Sequence, residues 1–150
     1  TISSFQEKIY TYYREHKRML PWRKTTNPYR ILVSEVMLQQ TQSSRVIPKY
    51  KAFLEAFPNA RALAEAPVHD VLSLWQGLGY NRRALLLKRT AEAIVTKHKG
   101  RFPKTFNELV ALPGIGPYTA SALMAFAYNT PTVMIETNIR AVFIHFFYPE

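Results

Sequence analysis

Cysteine is absent, so these 150 residues supply neither a disulfide nor a thiolate metal ligand. No apolar run approaches ~20 residues, so no stretch reads as a membrane-spanning helix. None has the layout of a secretory signal. Together these absences lead us to expect an intracellular protein of the cytoplasm or nucleoid, with no membrane partner. Period-two alternation is lacking, as are repeat periods and low-complexity segments, which points away from sheet and solenoid folds. Acidic residues are few: 10 against 20 Lys and Arg, for a formal charge of +10. That imbalance suits a polyanion, with nucleic acid first. The basic residues are not gathered on one amphipathic helix, as a membrane-surface binder would need. The hydrophobic fraction is 47%, enough for a real core, and the length suits one domain or one and a half.

What is present is organised around Leu112-Pro113-Gly114-Ile115-Gly116-Pro117-Tyr118-Thr119-Ala120. Thr105 and Glu108 read as a capping box opening a short helix, Phe106 to Ala111. Pro113 stops it. Gly114 and Gly116 allow positive φ and close backbone approach, and Pro117 suits the first position of a second helix, to about Tyr128. The spacing predicts a tight helix–hairpin–helix. Its amides and the second helix's N-terminus would either hold a phosphate or form a plain turn between core helices.

Earlier elements also read as helices. Phe5, Ile9, Tyr12 and Tyr13 give one over about 3–17, and Pro21 closes the basic stretch after it. Trp22 is either a core anchor or lies beside a planar ligand. Asn27-Pro28 starts a helix to about Gln40. On it Glu35 shares an apolar face with Ile31 and Leu38. A carboxyl there is either paired, by a cap or an Arg, or has a raised pKa. Ser44 is expected to cap the next helix, to about Phe57, with Pro48 in its first turn. Pro58-Asn59 and Pro67 start two more. Tyr80, after Gly77-Leu78-Gly79, is either a wedge into stacked bases or packs back on the core. A basic helix follows from Arg82 to about Lys99. Glu136 then sits at the start of a last apolar helix, where a carboxylate suits the helix dipole. Apolar helix surface is still uncovered at residue 150, so a longer parent protein, or one with a short tail, is expected.

The stretches Ser34-Glu35-Val36-Met37-Leu38-Gln39-Gln40-Thr41-Gln42, Gly77-Leu78-Gly79-Tyr80 and Leu112-Pro113-Gly114-Ile115-Gly116 resemble the helix–hairpin–helix DNA glycosylases. The resemblance is closest to the MutY-type adenine DNA glycosylases and covers nearly the whole chain. It implies an all-α fold with a six-helix domain over 20–130, containing the hairpin at 106–128. Residues 1–19 and 131–150 would be parts of a second helical domain. The family's iron–sulfur cluster needs four cysteines, so no cofactor is expected within these residues, and a [4Fe-4S] cluster would need ligands beyond residue 150. A hairpin-bound Na⁺ or K⁺ would take backbone carbonyls of Val110, Leu112 and Ile115.

The resemblance further implies a partner, double-stranded DNA with a mismatch or oxidised base, and action as a monomer. Glu35 matches the acid that protonates adenine. Tyr118 matches a Tyr near the sugar. Arg18, Leu20, Trp22 and Arg23 match positions near the base pocket. Gln40 and Tyr80 match residues that enter the base stack. Thr41, Arg82, Gly114, Ile115, Gly116, Thr119 and Asn138 fall at DNA-contacting positions. The family's catalytic Asp falls at Glu136, one methylene longer, and Asn81 replaces a frequent Tyr. Bifunctional relatives carry a Lys where this chain has Tyr118, so a monofunctional enzyme is expected. Removal of adenine opposite 8-oxoguanine or guanine is the first expectation. A thymine or uracil mismatch glycosylase and a non-catalytic lesion-binding module are the alternatives.

Overall fold

The computed structural model describes residues 1–150 as nine α-helices and one short 3₁₀ turn, with no strand. The helices are α1 (Ile2–His16), α2 (Pro28–Leu38), α3 (Ser43–Ala56), α4 (Ala60–Glu65), α5 (Val68–Trp75), α6 (Arg82–His98), α7 (Phe106–Val110), α8 (Pro117–Phe126) and α9 (Thr137–Phe147). The 3₁₀ turn, Pro21–Arg23, lies between α1 and α2. None of the helices is long and apolar enough to cross a membrane.

The middle of the fold is α2. Asn27 caps it through a bond from the Arg30 amide, and Pro28 occupies its first position. Every residue from Tyr29 to Met37 except Arg30 is buried. A helix apolar on nearly all sides must be enclosed, and α3, α6 and α8 pack around it. Polar groups inside this shell are satisfied locally. Ser34 donates to Ile31 O (2.7 Å), and Tyr29 donates its hydroxyl to Phe57 O (2.7 Å).

The outer pair behaves differently. Neither α1 nor α9 contains a buried residue. They meet through Phe5, whose ring lies 5.0–5.3 Å from those of Phe143, Phe146 and Phe147.

Two expectations need correction. Ser44 does not cap α3, which starts two residues earlier than such a cap implies, at Ser43 behind Gln42, without a side-chain cap bond. Ser43 instead accepts from Arg18 (3.0 Å). Pro48 therefore falls past the first turn, inside the helix. The Thr105–Glu108 box also forms only in part. Thr105 Oγ1 accepts the Glu108 amide (3.3 Å), but the Glu108 carboxylate bonds the Thr105 hydroxyl (2.7 Å) rather than its backbone.

Candidate active site and exposed turns

Glu35 lies in the second half of α2 and is 7% exposed. Burial raises its carboxyl above the ordinary carboxylate range, with the Arg23 guanidinium opposing. Arg23 ends the 3₁₀ turn, and its guanidinium lies 3.9 Å from the centre of the Phe126 ring on α8. Tyr118, second residue of α8, is close enough to feel both groups. Burial raises its phenol first, then the charges of Glu35 and Glu136, against Arg23. Four groups from four parts of the chain thus share one electrostatic neighbourhood: a buried carboxyl with raised proton affinity, a phenol, a guanidinium and a second carboxylate.

Glu136 is held by other means. It is the N-cap of α9, where Oε1 accepts the Ile139 amide (2.7 Å). Capping occupies one oxygen and leaves the other without a hydrogen bond inside the chain.

The residues expected near a base pocket are spread between core and cleft. Trp22 is 1% exposed and packs edge-on against Tyr50 at 5.4 Å, the core-anchor outcome. Its Nε1 has no acceptor although buried. Arg18, Leu20 and Arg23 line a cleft of about 370 Å³ with Ile9, Tyr12 and His16 of α1. The stacked Tyr12–His16 pair (4.2 Å) on its wall is a feature the helical periodicity did not single out.

In the hairpin, Gly114 has φ +82°, and an added Cβ would meet Thr90 Oγ1 at 3.0 Å and Leu86 O at 3.3 Å. Thr90 ties this turn to α6 by donating to Pro113 O. Gly116 is the opposite case: a Cβ there would meet nothing within 4 Å. It caps α8 without a side chain, and the amides of Gly116, Tyr118 and Thr119 have no backbone acceptor. An open helix N-terminus of this kind suits an anion. Ile115 and the Thr119 side chain face the core, so Thr119 offers only its amide outward. Asn138 is exposed on α9. The Val110 and Ile115 carbonyls accept no bond in the chain, while Leu112 O accepts the Ile115 amide (3.2 Å).

Two further turns lie side by side. Gln40, just past α2, has φ +56°, and Tyr80, after the second glycine of Gly77-Leu78-Gly79, has φ +50°. The left-handed region disfavours residues with a Cβ by roughly 1–2 kcal/mol each. Both side chains point to solvent, Tyr80 at 65% exposure. Arg82 is exposed at the start of α6, whereas Arg83 turns inward. Arg83 Nη1 donates to Val36 O (2.7 Å), Met37 O (3.1 Å) and Gln39 O. Its Nη2 donates to Thr41 Oγ1 (3.2 Å), Leu78 O (3.3 Å) and Gly79 O (3.2 Å). The sequence reading assigns a DNA contact to Arg82 alone and leaves Arg83 as one more residue of a basic helix. The only hint was the doublet itself, which must place one residue on the inner side of the helix.

Known proteins place the chain. Residues 33–150 match the model of the HhH-GPD superfamily base excision DNA repair proteins. An adenine DNA glycosylase of Buchnera aphidicola subsp. Baizongia pistaciae is 39% identical over 147 residues, 98% of this chain and 42% of that protein. One from Mycolicibacterium smegmatis is 42% identical over 136 residues, 90% of this chain and 46% of that protein. The chain therefore spans less than half the length of these relatives. Among solved structures, a thermostable thymine-DNA glycosylase superposes with a TM-score of 0.89 at 29% identity, covering 94% of this chain and 65% of the other. By fold, motif order and sequence, the chain belongs to the HhH-GPD superfamily of base excision DNA repair proteins.

Proposed function

We propose that this chain carries the base-excising half of a monofunctional adenine DNA glycosylase, acting on adenine opposite 8-oxoguanine or guanine. The single observation behind this reading is the buried Glu35, its carboxyl raised by burial, in the electrostatic reach of Tyr118, which also feels Glu136. The relatives named adenine DNA glycosylase support the choice of base. Adenine inside a duplex is out of reach, so its nucleotide must be flipped out. The open hairpin amides and the excess of basic residues hold phosphates while Gln40 and Tyr80 enter the vacated stack. Arg18, Leu20 and Arg23, which line one cleft, lie towards the base, with Trp22 anchored in the core, and Thr41, Arg82 and Asn138 lie towards the backbone.

Glu35 donates its proton to N7 of the adenine. The C1′–N9 bond then breaks, its electron pair leaves with the neutral base, and the sugar becomes oxocarbenium-like. Glu136, through the oxygen its cap leaves free, and the neutral Tyr118 stabilise that cation electrostatically. Water adds to C1′ and loses a proton, leaving an abasic site. Tyr118 offers no amine, so no Schiff base forms at this position and the strand stays intact.

The protein acts as a monomer on double-stranded DNA, with residues 20–130, which hold α2 to α8 and so seven helices where six are expected, as one domain and residues 1–19 with 131–150 belonging to a second one. The hairpin carbonyls of Val110 and Ile115, free of other bonds, fit a monovalent cation that would neutralise a neighbouring phosphate. Without cysteine, these residues do not fit a [4Fe-4S] cluster.

The test is single-turnover base release by the full-length protein on duplexes with A opposite 8-oxoguanine, A opposite G, and T or U opposite G. Adenine release, with strand cleavage only after alkali, is the expected result. Release of T or U instead would move the assignment to the activity that the thymine-DNA glycosylase is named for. Selective binding with no release would leave a lesion sensor. Gly116→Asp should weaken binding to every duplex by about tenfold or more, because it puts an anion where a phosphate belongs. Unchanged affinity at fixed salt would remove the hairpin from the DNA interface.

A further inference from the structure

Arg83 joins the segments that carry Gln40 and Tyr80, and its role rests on the DNA-reading role proposed for those two residues. The two residues come from distant parts of the chain, and both occupy left-handed backbone beside each other. Their carbonyl neighbours converge on one guanidinium. Arg83 donates to Gln39 O, immediately before Gln40, and to Gly79 O, immediately before Tyr80. It also takes two of the otherwise open carbonyls at the C-terminus of α2, those of Val36 and Met37.

The Gly77-Leu78-Gly79 turn is pinned at every carbonyl. Gly77 O accepts from Arg45, Leu78 O from Arg83, and Gly79 O from Arg83 and from Trp75 Nε1 (3.2 Å). With the backbone held inward, the two side chains are left outside. The guanidinium lies 5.6 Å from the centre of the Tyr80 ring and 5.4 Å from that of Trp75.

We propose that Arg83 is the positioning residue of a preformed two-pronged wedge, fixing Gln40 and Tyr80 at a set separation before DNA arrives. A planar fork reaches two loops at once. The compact ammonium of a lysine does not. Arg83 itself is braced from inside and contacts no DNA in this account. Its contribution is pre-organisation, so its loss should appear in lesion selectivity and not in affinity for ordinary duplex.

The test uses the full-length protein and four chains: wild type, Arg83→Lys, Gln40→Ala/Tyr80→Ala, and the triple variant. For each, the affinity for a matched duplex and for the mismatch duplexes above is measured at fixed salt, alongside thermal melting. Arg83→Lys should lower the mismatch-over-matched ratio by about tenfold or more, with matched-duplex affinity within about twofold. In the background lacking both prongs, it should lower the ratio no further. An additive loss, or an equal loss on matched and mismatched DNA, would overturn the proposal, because both are what a merely structural arginine produces.

If Arg83→Lys does not fold at the assay temperature, Thr41→Val takes its place. It removes the one side-chain acceptor in the set and keeps the arginine. A fall of about two- to fivefold, absent without the prongs, is then expected. An unchanged ratio overturns the idea. A selective wild type that releases no adenine, but loses selectivity with Arg83→Lys, would sink the adenine reading and keep the wedge. A wild type with no mismatch preference would sink both.

Discussion

The two carboxylates of the site are secured in opposite ways, and the two regions that carry them differ as much. Glu35 sits on a helix buried along almost its whole length, and three helices enclose it. Glu136 caps α9, a helix with no buried residue, whose partner α1 has none either. Burial fixes the first group and sets its proton affinity. A single cap bond fixes the second and leaves its carboxylate half free. In the proposed mechanism a proton donor benefits from a dry setting, and a cation-stabilising carboxylate from a polar one. The fold supplies each environment from a different region.

The largest test of that contrast removes the acid. Glu35→Gln should lower single-turnover base release by about 10²–10⁴-fold while keeping duplex affinity. A variant as fast as the parent would show that burial of Glu35 serves the core alone. Next, core truncation should separate the two regions. Leu32→Ala should destabilise by about 2–5 kcal/mol. Phe143→Ala, on the half-exposed α9, should destabilise by about 1 kcal/mol or less in this 150-residue chain. Equal losses by denaturant unfolding would mean that α1 and α9 belong to the same cooperative core.

The smaller effects concern Glu136 and acidity. Glu136→Ala removes the cap and should cost about 1 kcal/mol. Glu136→Asp keeps a capping residue type and should preserve that stability while changing the base-release rate. Burial of Glu35 also links stability to pH. Its carboxyl binds a proton more tightly folded than unfolded. Stability is therefore lost as pH rises from the ordinary carboxyl range through the raised folded value. Glu35→Gln should then melt above the parent at neutral pH, and the gap should close on acidification. A gap that widens on acidification would mean that the ionised form is the favoured one.

Much of this was legible in the residues. Asn27-Pro28 marked the start of α2, and Ile31 and Leu38 around Glu35 marked an apolar face; the structure adds that the carboxyl is buried with Arg23 opposing. Thr105, Pro113 and Pro117 bounded the hairpin because capping and proline geometry are local. What failed to show was anything decided by distant partners. Ser44 looked like a cap, yet the chain enters α3 behind Gln42, and Ser43 is engaged by Arg18. Tyr12 and Tyr13 repeat at helical spacing, yet both remain exposed in a helix with no buried residue. Arg82 and Arg83 are identical residues one position apart. Only the neighbouring α2 terminus and glycine turn make one of them a brace.

The most direct test of the central claim is the pH dependence of single-turnover adenine release by the full-length protein, beside Glu35→Gln. The rate should be high while Glu35 keeps its proton and fall as pH rises through its raised value. The residual rate of the variant should show no such fall. A parent rate that climbs with pH, or that follows the same profile as Glu35→Gln, would contradict Glu35 as the proton donor.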